Sequence, residues 1–284
     1  MDLPVKGVVR PLTFEEAVAA LAEDRGLLPM AGGTDLTVQL RAGRFGGRRL
    51  LDLSRVLPRS ITTAGGFLEI GAGATMDEIA DSEAIRSMCP ALCEAARKVG
   101  AWPIQCRATL GGNLANASPA ADTAPALLIA DAVIVTEGPG GRREVGIDNF
   151  FTGPGETTLG DEELICSIKI PQNPPSFSRF TKLGWQREQI ISVVSLAIQL
   201  HINNRAEVTE AAVALGAVAP TPTRAPTVEA TLLGHTLDPS IIERAVKAVQ
   251  DDISPIDDVR APAWYRRVAA ATLVQHMLEE AADD

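Results

Sequence analysis

Two short stretches bring together residue types suited to holding a ligand with the main chain. Ala31-Gly32-Gly33-Thr34-Asp35-Leu36 and Arg107-Ala108-Thr109-Leu110-Gly111-Gly112-Asn113, the latter running on to Asp122, each set a glycine pair among short polar side chains. Without a Cβ, the chain there can turn left-handed or touch a ligand directly. Backbone N–H groups gathered in such turns, or at a helix N-terminus, bind anions without a lysine. Taken singly, each stretch also reads as a surface turn. Two in one chain point to a phosphate-bearing cofactor held from two sides. Neither is Gly-x-Gly-x-x-Gly and no Walker lysine follows, so an ordinary Rossmann or P-loop domain is disfavoured.

Other chemistry is sparse. The three histidines, His201, His235 and His276, fall on a strand, a loop and a helix and form no acid–base triad, so no catalytic residue is assigned. Cys89, Cys93, Cys106 and Cys166 contain no Cys-x-x-Cys pair. They read as reduced thiols, with no metal or iron–sulfur ligation, and point to the cytoplasm. The formal charge of −10 and an aromatic content of 4% argue against nucleic acid. No run approaches the ~20 apolar residues of a membrane span, and the N-terminus lacks the pattern of a signal peptide.

The elements that must position these stretches divide the 284 residues into three parts. Residues 1–55 read as a small α/β unit. A capping box at Thr13 and Glu16 opens a helix that Gly26 closes. Strands cover 27–31 and 50–53, and Thr34 or Asp35 caps a helix to Arg41. Residues 56–172 read as α+β: a hairpin around Gly65-Gly66, one helix from Thr75 toward Ser87, and another opened by Pro90. A further helix spans 123–130, with strands at 133–136, 143–146 and 164–170. The Pro-rich segment 171–176 is a linker. Residues 177–284 read as three strands (178–183, 192–202, 208–218) followed by helices at 227–233, 239–249 and 262–281.

These motifs, in this order, resemble the FAD-binding medium subunit of the molybdenum hydroxylases, the group of xanthine and carbon monoxide dehydrogenases. Ala108-Thr109-Leu110-Gly111-Gly112-Asn113 is similar to that family's Ala-Thr-Ile-Gly-Gly-Asn. It is joined by Ala31-Gly32-Gly33-Thr34-Asp35, by Phe180-x-Lys182, and by a C-terminal run from Ile256-Asp257-Asp258-Val259-Arg260 to Tyr265-Arg266-Arg267. The resemblance implies an α+β fold: a two-lobed FAD-binding unit, then a three-stranded antiparallel sheet with helices. It implies FAD wrapped by Leu28, Pro29, Met30, Ala31, Gly32, Gly33, Thr34 and Asp35. Thr109, Leu110, Gly111, Gly112 and Asn113 close from the other side, largely through backbone groups. Asp122 matches a cofactor-bonding aspartate, or alternatively caps the following helix. Ile165 matches an apolar flavin contact, or is strand core. Lys182 matches a lysine near the flavin, whose charge would favour the anionic reduced form, or is a solvated strand lysine.

The implied activity is oxidoreductase electron transfer. Electrons would pass from an iron–sulfur small subunit, fed by a molybdopterin large subunit, through FAD to NAD or another acceptor in a heterotrimer. A stand-alone FAD oxidase or dehydrogenase, and a flavin-less scaffold, are the alternatives. The chain departs from the family pattern at Gln105 and Cys106, where Arg-Asn is common, and at Ile190-Ile191-Ser192, where Asp-Ile-Ala is common. The first leaves phosphate or partner contacts open, and the second leaves the acceptor site open.

Overall fold

The computed structural model describes residues 4–185 and 191–284. Among the described residues it contains three main sheets and a small two-stranded one, Phe151–Gly153 with Glu156–Thr157, around three apolar cores, and the core under the N-terminal sheet takes in Val135, Leu164 and Cys166 of the middle sheet. The N-terminal sheet is parallel, with Arg49–Asp52 between Gly7–Val9 and Leu27–Met30. Helix Phe14–Glu23 begins at Thr13, whose hydroxyl accepts from the Glu16 N–H at 3.1 Å. The capping box is half closed, because the Glu16 carboxylate takes the Leu12 N–H at 2.7 Å instead. The helix ends at Asp24 in extended backbone, so Gly26 lies beyond it rather than closing it.

The middle sheet is antiparallel, in the order Ile61–Ala64, Phe67–Gly71, Leu164–Pro171, Val133–Gly138, Gly141–Gly146. Gly65 and Gly66 turn its first hairpin with φ of +59° and +82°, the pair of left-handed residues a two-residue hairpin needs. The expected helix from Thr75 to Ser87 is two helices, Met76–Asp81 and Glu83–Met88. Ser82 adopts extended backbone between them and caps the second by accepting the Ile85 N–H. That local bond competes with helix continuation.

The C-terminal sheet has the three long strands expected, Phe177–Leu183, Val194–Ile202 and Val208–Gly216, plus a two-residue edge at Thr223–Arg224. Side chains alternate across a strand, and residue size alternates with them. Leu196, Ile198, Leu200, Val213 and Leu215 belong to the core under the helices Pro226–Leu232, Pro239–Asp252 and Ala263–Asp283. Ala197, Ala212 and Ala214 belong to the core of the middle part. The small face lets helices Pro90–Arg97 and Thr123–Ile129 pack between the two sheets.

Arg266, on the last helix, is the largest fully buried side chain, with 2% exposed. It donates to the carbonyls of Val193 and Ala217, which flank two strands, and to Asp258 Oδ1 at 2.6 Å. Burial pushes the Asp258 carboxyl up, but hydrogen bonds from the Arg260 side chain and from the N–H groups of Arg260 and Ala261 outweigh it, holding it well below the usual carboxylate range. Removing one partner leaves an uncompensated buried charge, so Asp258→Ala should cost about 3–5 kcal/mol in denaturant unfolding. Because the folded carboxyl titrates below the unfolded one, this contribution is complete above about pH 4 and fades as pH falls through the depressed range. An unchanged midpoint in Asp258→Ala at neutral pH contradicts this.

Candidate functional site

A cleft of about 400 Å³ opens between the N-terminal sheet and the helix Leu110–Asn116. Its floor and walls include Leu28, Pro29, Met30, Phe45, Val99 and Ile104. One rim is residues 31–35, and the other is Thr109, Gly112, Asn113 and Asn116. The two rims touch: a Cβ on Gly32 would overlap the carbonyl oxygen of Arg107. Gly33 sits at φ +72°, so both glycines of the first stretch are required, for different reasons. At the mouth, Asn116 donates to Asp35 Oδ2 at 3.3 Å and accepts from Gln39 Nε2 at 3.0 Å, joining the rims through side chains.

The second glycine pair is not a loop. Thr109 is the N-cap, and Gly111 and Gly112 lie in the first turn of the helix. Its N–H groups are already used. Leu110 N–H donates to the Ala74 carbonyl at 3.0 Å and Gly111 N–H to the Ala72 carbonyl at 2.9 Å. Gly112 N–H donates to Thr109 Oγ1 at 3.2 Å, and Asn113 N–H to the Thr109 carbonyl at 2.9 Å. A Cβ on Gly111 would lie 2.7 Å from that of Ala72. Gly111 therefore serves the packing of the helix on the turn after strand Phe67–Gly71, and a valine there would disturb the fold rather than a ligand alone. The first stretch is the opposite case. Among the described residues, the N–H groups of Gly32, Gly33, Thr34 and Asp35 donate to no protein acceptor. Asp35 occupies the cap position of Leu36–Arg41 but makes no capping bond. A row of unspent donors at the rim of a cleft fits an anionic group.

Asp122 is not a helix cap. It precedes Thr123–Ile129 with helical backbone and no capping bond. Its buried carboxylate accepts from Lys182 Nζ and from Ser192 Oγ, each at 2.6 Å. Lys182 Nζ also donates to the Lys98 carbonyl at 2.6 Å, so it is a buried pair member and not a solvated strand lysine. Burial pushes the Asp122 carboxyl above its ordinary range, while the charge and hydrogen bond of Lys182 and the Ser192 hydroxyl oppose that rise. The ion pair carries no net charge, which moderates the cationic effect expected of Lys182 alone. The loop before Asp122 is anchored by the Ala217 N–H, which donates to the Pro119 carbonyl at 2.8 Å. Ala217 is also a partner of Arg266.

The cleft thus gathers Leu28, Pro29, Met30, Ala31, Gly32, Gly33, Thr34 and Asp35 with Thr109, Gly112 and Asn113. Leu110 is fully buried beneath it. Ile165 lies in the core of the middle part, beside a bulge in its strand, and does not line the cleft. Asp122 and Lys182 form a separate buried cluster. Sequence reasoning missed Ser192, whose one signal was a serine where alanine is common, and the wall residues Phe45, Val99 and Ile104. Gln105 donates to the Arg97 carbonyl, closing the end of a helix, and the Cys106 thiol meets Asp77. Ile190 lies outside the described residues. Among the described residues, no three His, Cys, Asp or Glu converge to hold a metal, and no helix is long and apolar enough to cross a membrane.

Comparison with known proteins agrees with this geometry. Residues 4–173 match the family of the FAD binding domain in molybdopterin dehydrogenase, and residues 179–281 match the CO dehydrogenase flavoprotein C-terminal domain. The xanthine dehydrogenase FAD-binding subunit of Escherichia coli O157:H7 is 30% identical over 276 residues, covering 96% of this chain and 94% of that protein. The carbon monoxide dehydrogenase medium chain of Hydrogenophaga pseudoflava is 30% identical over 282 residues, covering 95% of each. A solved chain of Cu,Mo-CO dehydrogenase superposes with a TM-score of 0.93 at 26% identity, covering 100% of this chain and 99% of that one.

The Asp122 cluster generates a two-part prediction. Ser192→Ala removes a hydrogen bond to a charged group and should cost about 1.5–3 kcal/mol of stability. It should also raise the Asp122 carboxyl further, because a donor to the charged form is lost. A ¹³C carboxyl titration that leaves Asp122 unmoved, or moves it down, contradicts the assignment.

Proposed function

Because the chain belongs to the FAD-binding medium subunits of the molybdenum hydroxylases, we propose that it is the electron-transfer subunit of such a complex. It takes electrons from the iron–sulfur clusters of a small partner subunit, fed in turn by a molybdopterin large subunit. It delivers them through FAD to NAD or another acceptor. The family is one of oxidoreductase subunits and its cofactor is FAD. The observation that carries the reading is the row of unspent N–H groups at residues 32–35, beside an apolar cleft.

FAD supplies the redox chemistry, and the protein supplies binding, orientation and tuning. Residues 32–35 present donors to the diphosphate oxygens. Thr109, Gly112 and Asn113 form the facing wall, with Leu110 and Gly111 as its support. The Lys182–Asp122 pair, held by Ser192 and the Lys98 carbonyl, fixes the C-terminal sheet against that wall. We assign residues 1–55 and 56–172 to the two FAD-binding lobes and 177–284 to the C-terminal domain.

The chain purified alone should carry stoichiometric FAD, visible as flavin absorption bands, and should oxidise no organic substrate. Mixed anaerobically with a reduced iron–sulfur subunit, its flavin bands should bleach. Turnover of an N-heterocycle by the isolated chain would favour a stand-alone enzyme, and a flavin-free, FAD-indifferent chain would favour a scaffold. Gly32→Ala forces the two rims apart and should yield protein with at least about a hundredfold weaker FAD binding, the equivalent of two or more lost charge-assisted hydrogen bonds.

A further inference from the structure

Phe45 has a property that diphosphate binding does not use. Among the described residues it is the one aromatic side chain lining the cleft. It is 41% exposed and belongs to none of the three cores. Its backbone sits at φ +57°, a left-handed conformation that is costly for a bulky residue. The turn around it is tied down: Arg44 N–H donates to the Gln39 carbonyl at 3.0 Å, and Gly47 N–H to the Pro4 carbonyl at 2.9 Å. A ring held at a cleft rim by unfavourable backbone, with no core to join, is placed for a ligand.

We propose that Phe45 stacks on the adenine of bound FAD and thereby sets the preference for a dinucleotide flavin over a mononucleotide one. The inference rests on the reading that residues 32–35 hold the diphosphate. A diphosphate at the centre of FAD sends one ring system each way along the cleft. Val99, Gly100 and Ile104 line part of its wall. The Lys98 carbonyl, next to Val99, accepts a hydrogen bond from Lys182, so that part of the wall adjoins the C-terminal sheet. Gln39, on the helix Leu36–Arg41, and Phe45, in the turn after it, line the cleft from the N-terminal unit instead. The adenine takes no electrons and needs only a flat apolar face with polar groups at its edge. Phe45 supplies the face, and the Gln39–Asn116 pair lies on the same side.

Calorimetry on flavin-free protein with FAD, ADP and FMN as titrants tests this. Base–aromatic stacking predicts that Phe45→Ala weakens FAD and ADP by about tenfold or more and leaves FMN unchanged. Phe45→Trp should restore FAD affinity, while Phe45→Leu, which keeps bulk but loses the π face, should not. Unchanged FAD affinity in Phe45→Ala overturns the proposal. So does equal weakening of FAD and FMN, which would place the ring against the flavin instead. A wild-type chain that binds no FAD defeats the site reading itself, a result separate from any behaviour of the variants. Phe45 lies outside every core, so the melting temperature of flavin-free Phe45→Ala should match that of the flavin-free wild type.

Discussion

The site depends on how closely two pieces of main chain approach. Gly32 and the Arg107 carbonyl leave no room for a side chain between them. That contact brings a turn of the N-terminal sheet against the entry to the helix Leu110–Asn116. It also divides the labour between two similar-looking glycine pairs. The helix spends its first N–H groups on Ala72, Ala74 and Thr109, which makes it a rigid wall. The turn keeps four donors for something outside the protein. These residues are half-buried to exposed, so water meets the donors while the cleft is open, and a ligand that closes it must supply acceptors in place of that water.

A second node transmits order from the C-terminal part to the same region. Arg266 is buried in the last helix and holds the carbonyls of Val193 and Ala217. Ala217 in turn holds Pro119, in the loop that leads to Asp122. Ser192, one residue before Val193, donates to Asp122, and Lys182 completes the pair. The C-terminal sheet is therefore joined to the cofactor unit by buried charge and hydrogen bonds as well as by alanine packing. Truncating one partner of such a cluster is costly because the other stays desolvated.

Much of this was legible in the chain. Period-two alternation located the long strands, Pro90 and Thr75 marked helix starts, and the two glycine pairs marked the cleft. What the chain left open has one physical cause. Whether Asp122 caps its helix or meets a lysine is decided by Lys182, 60 positions away. Whether Gly111 offers its N–H to a ligand is decided by the Ala72 carbonyl, in the turn that follows strand Phe67–Gly71. Local propensity is silent on both. Ser82 shows the same limit at short range: a serine reads equally as helix interior or cap until the backbone commits. Ile165 was read through resemblance as an apolar flavin contact or as strand core, and it is buried in its strand, as the Leu-Ile-Cys-Ser-Ile run gives.

In the proposed function the first glycine turn donates to the diphosphate while the second glycine pair is structural support. Backbone amide hydrogen exchange, followed by NMR with and without FAD, tests this most directly. The amides of Gly32, Gly33, Thr34 and Asp35 should exchange freely in the flavin-free protein and become protected when FAD binds. Those of Leu110 and Gly111 should be protected in both states. Protection gained at Leu110 and Gly111 with none at residues 32–35 would contradict the account.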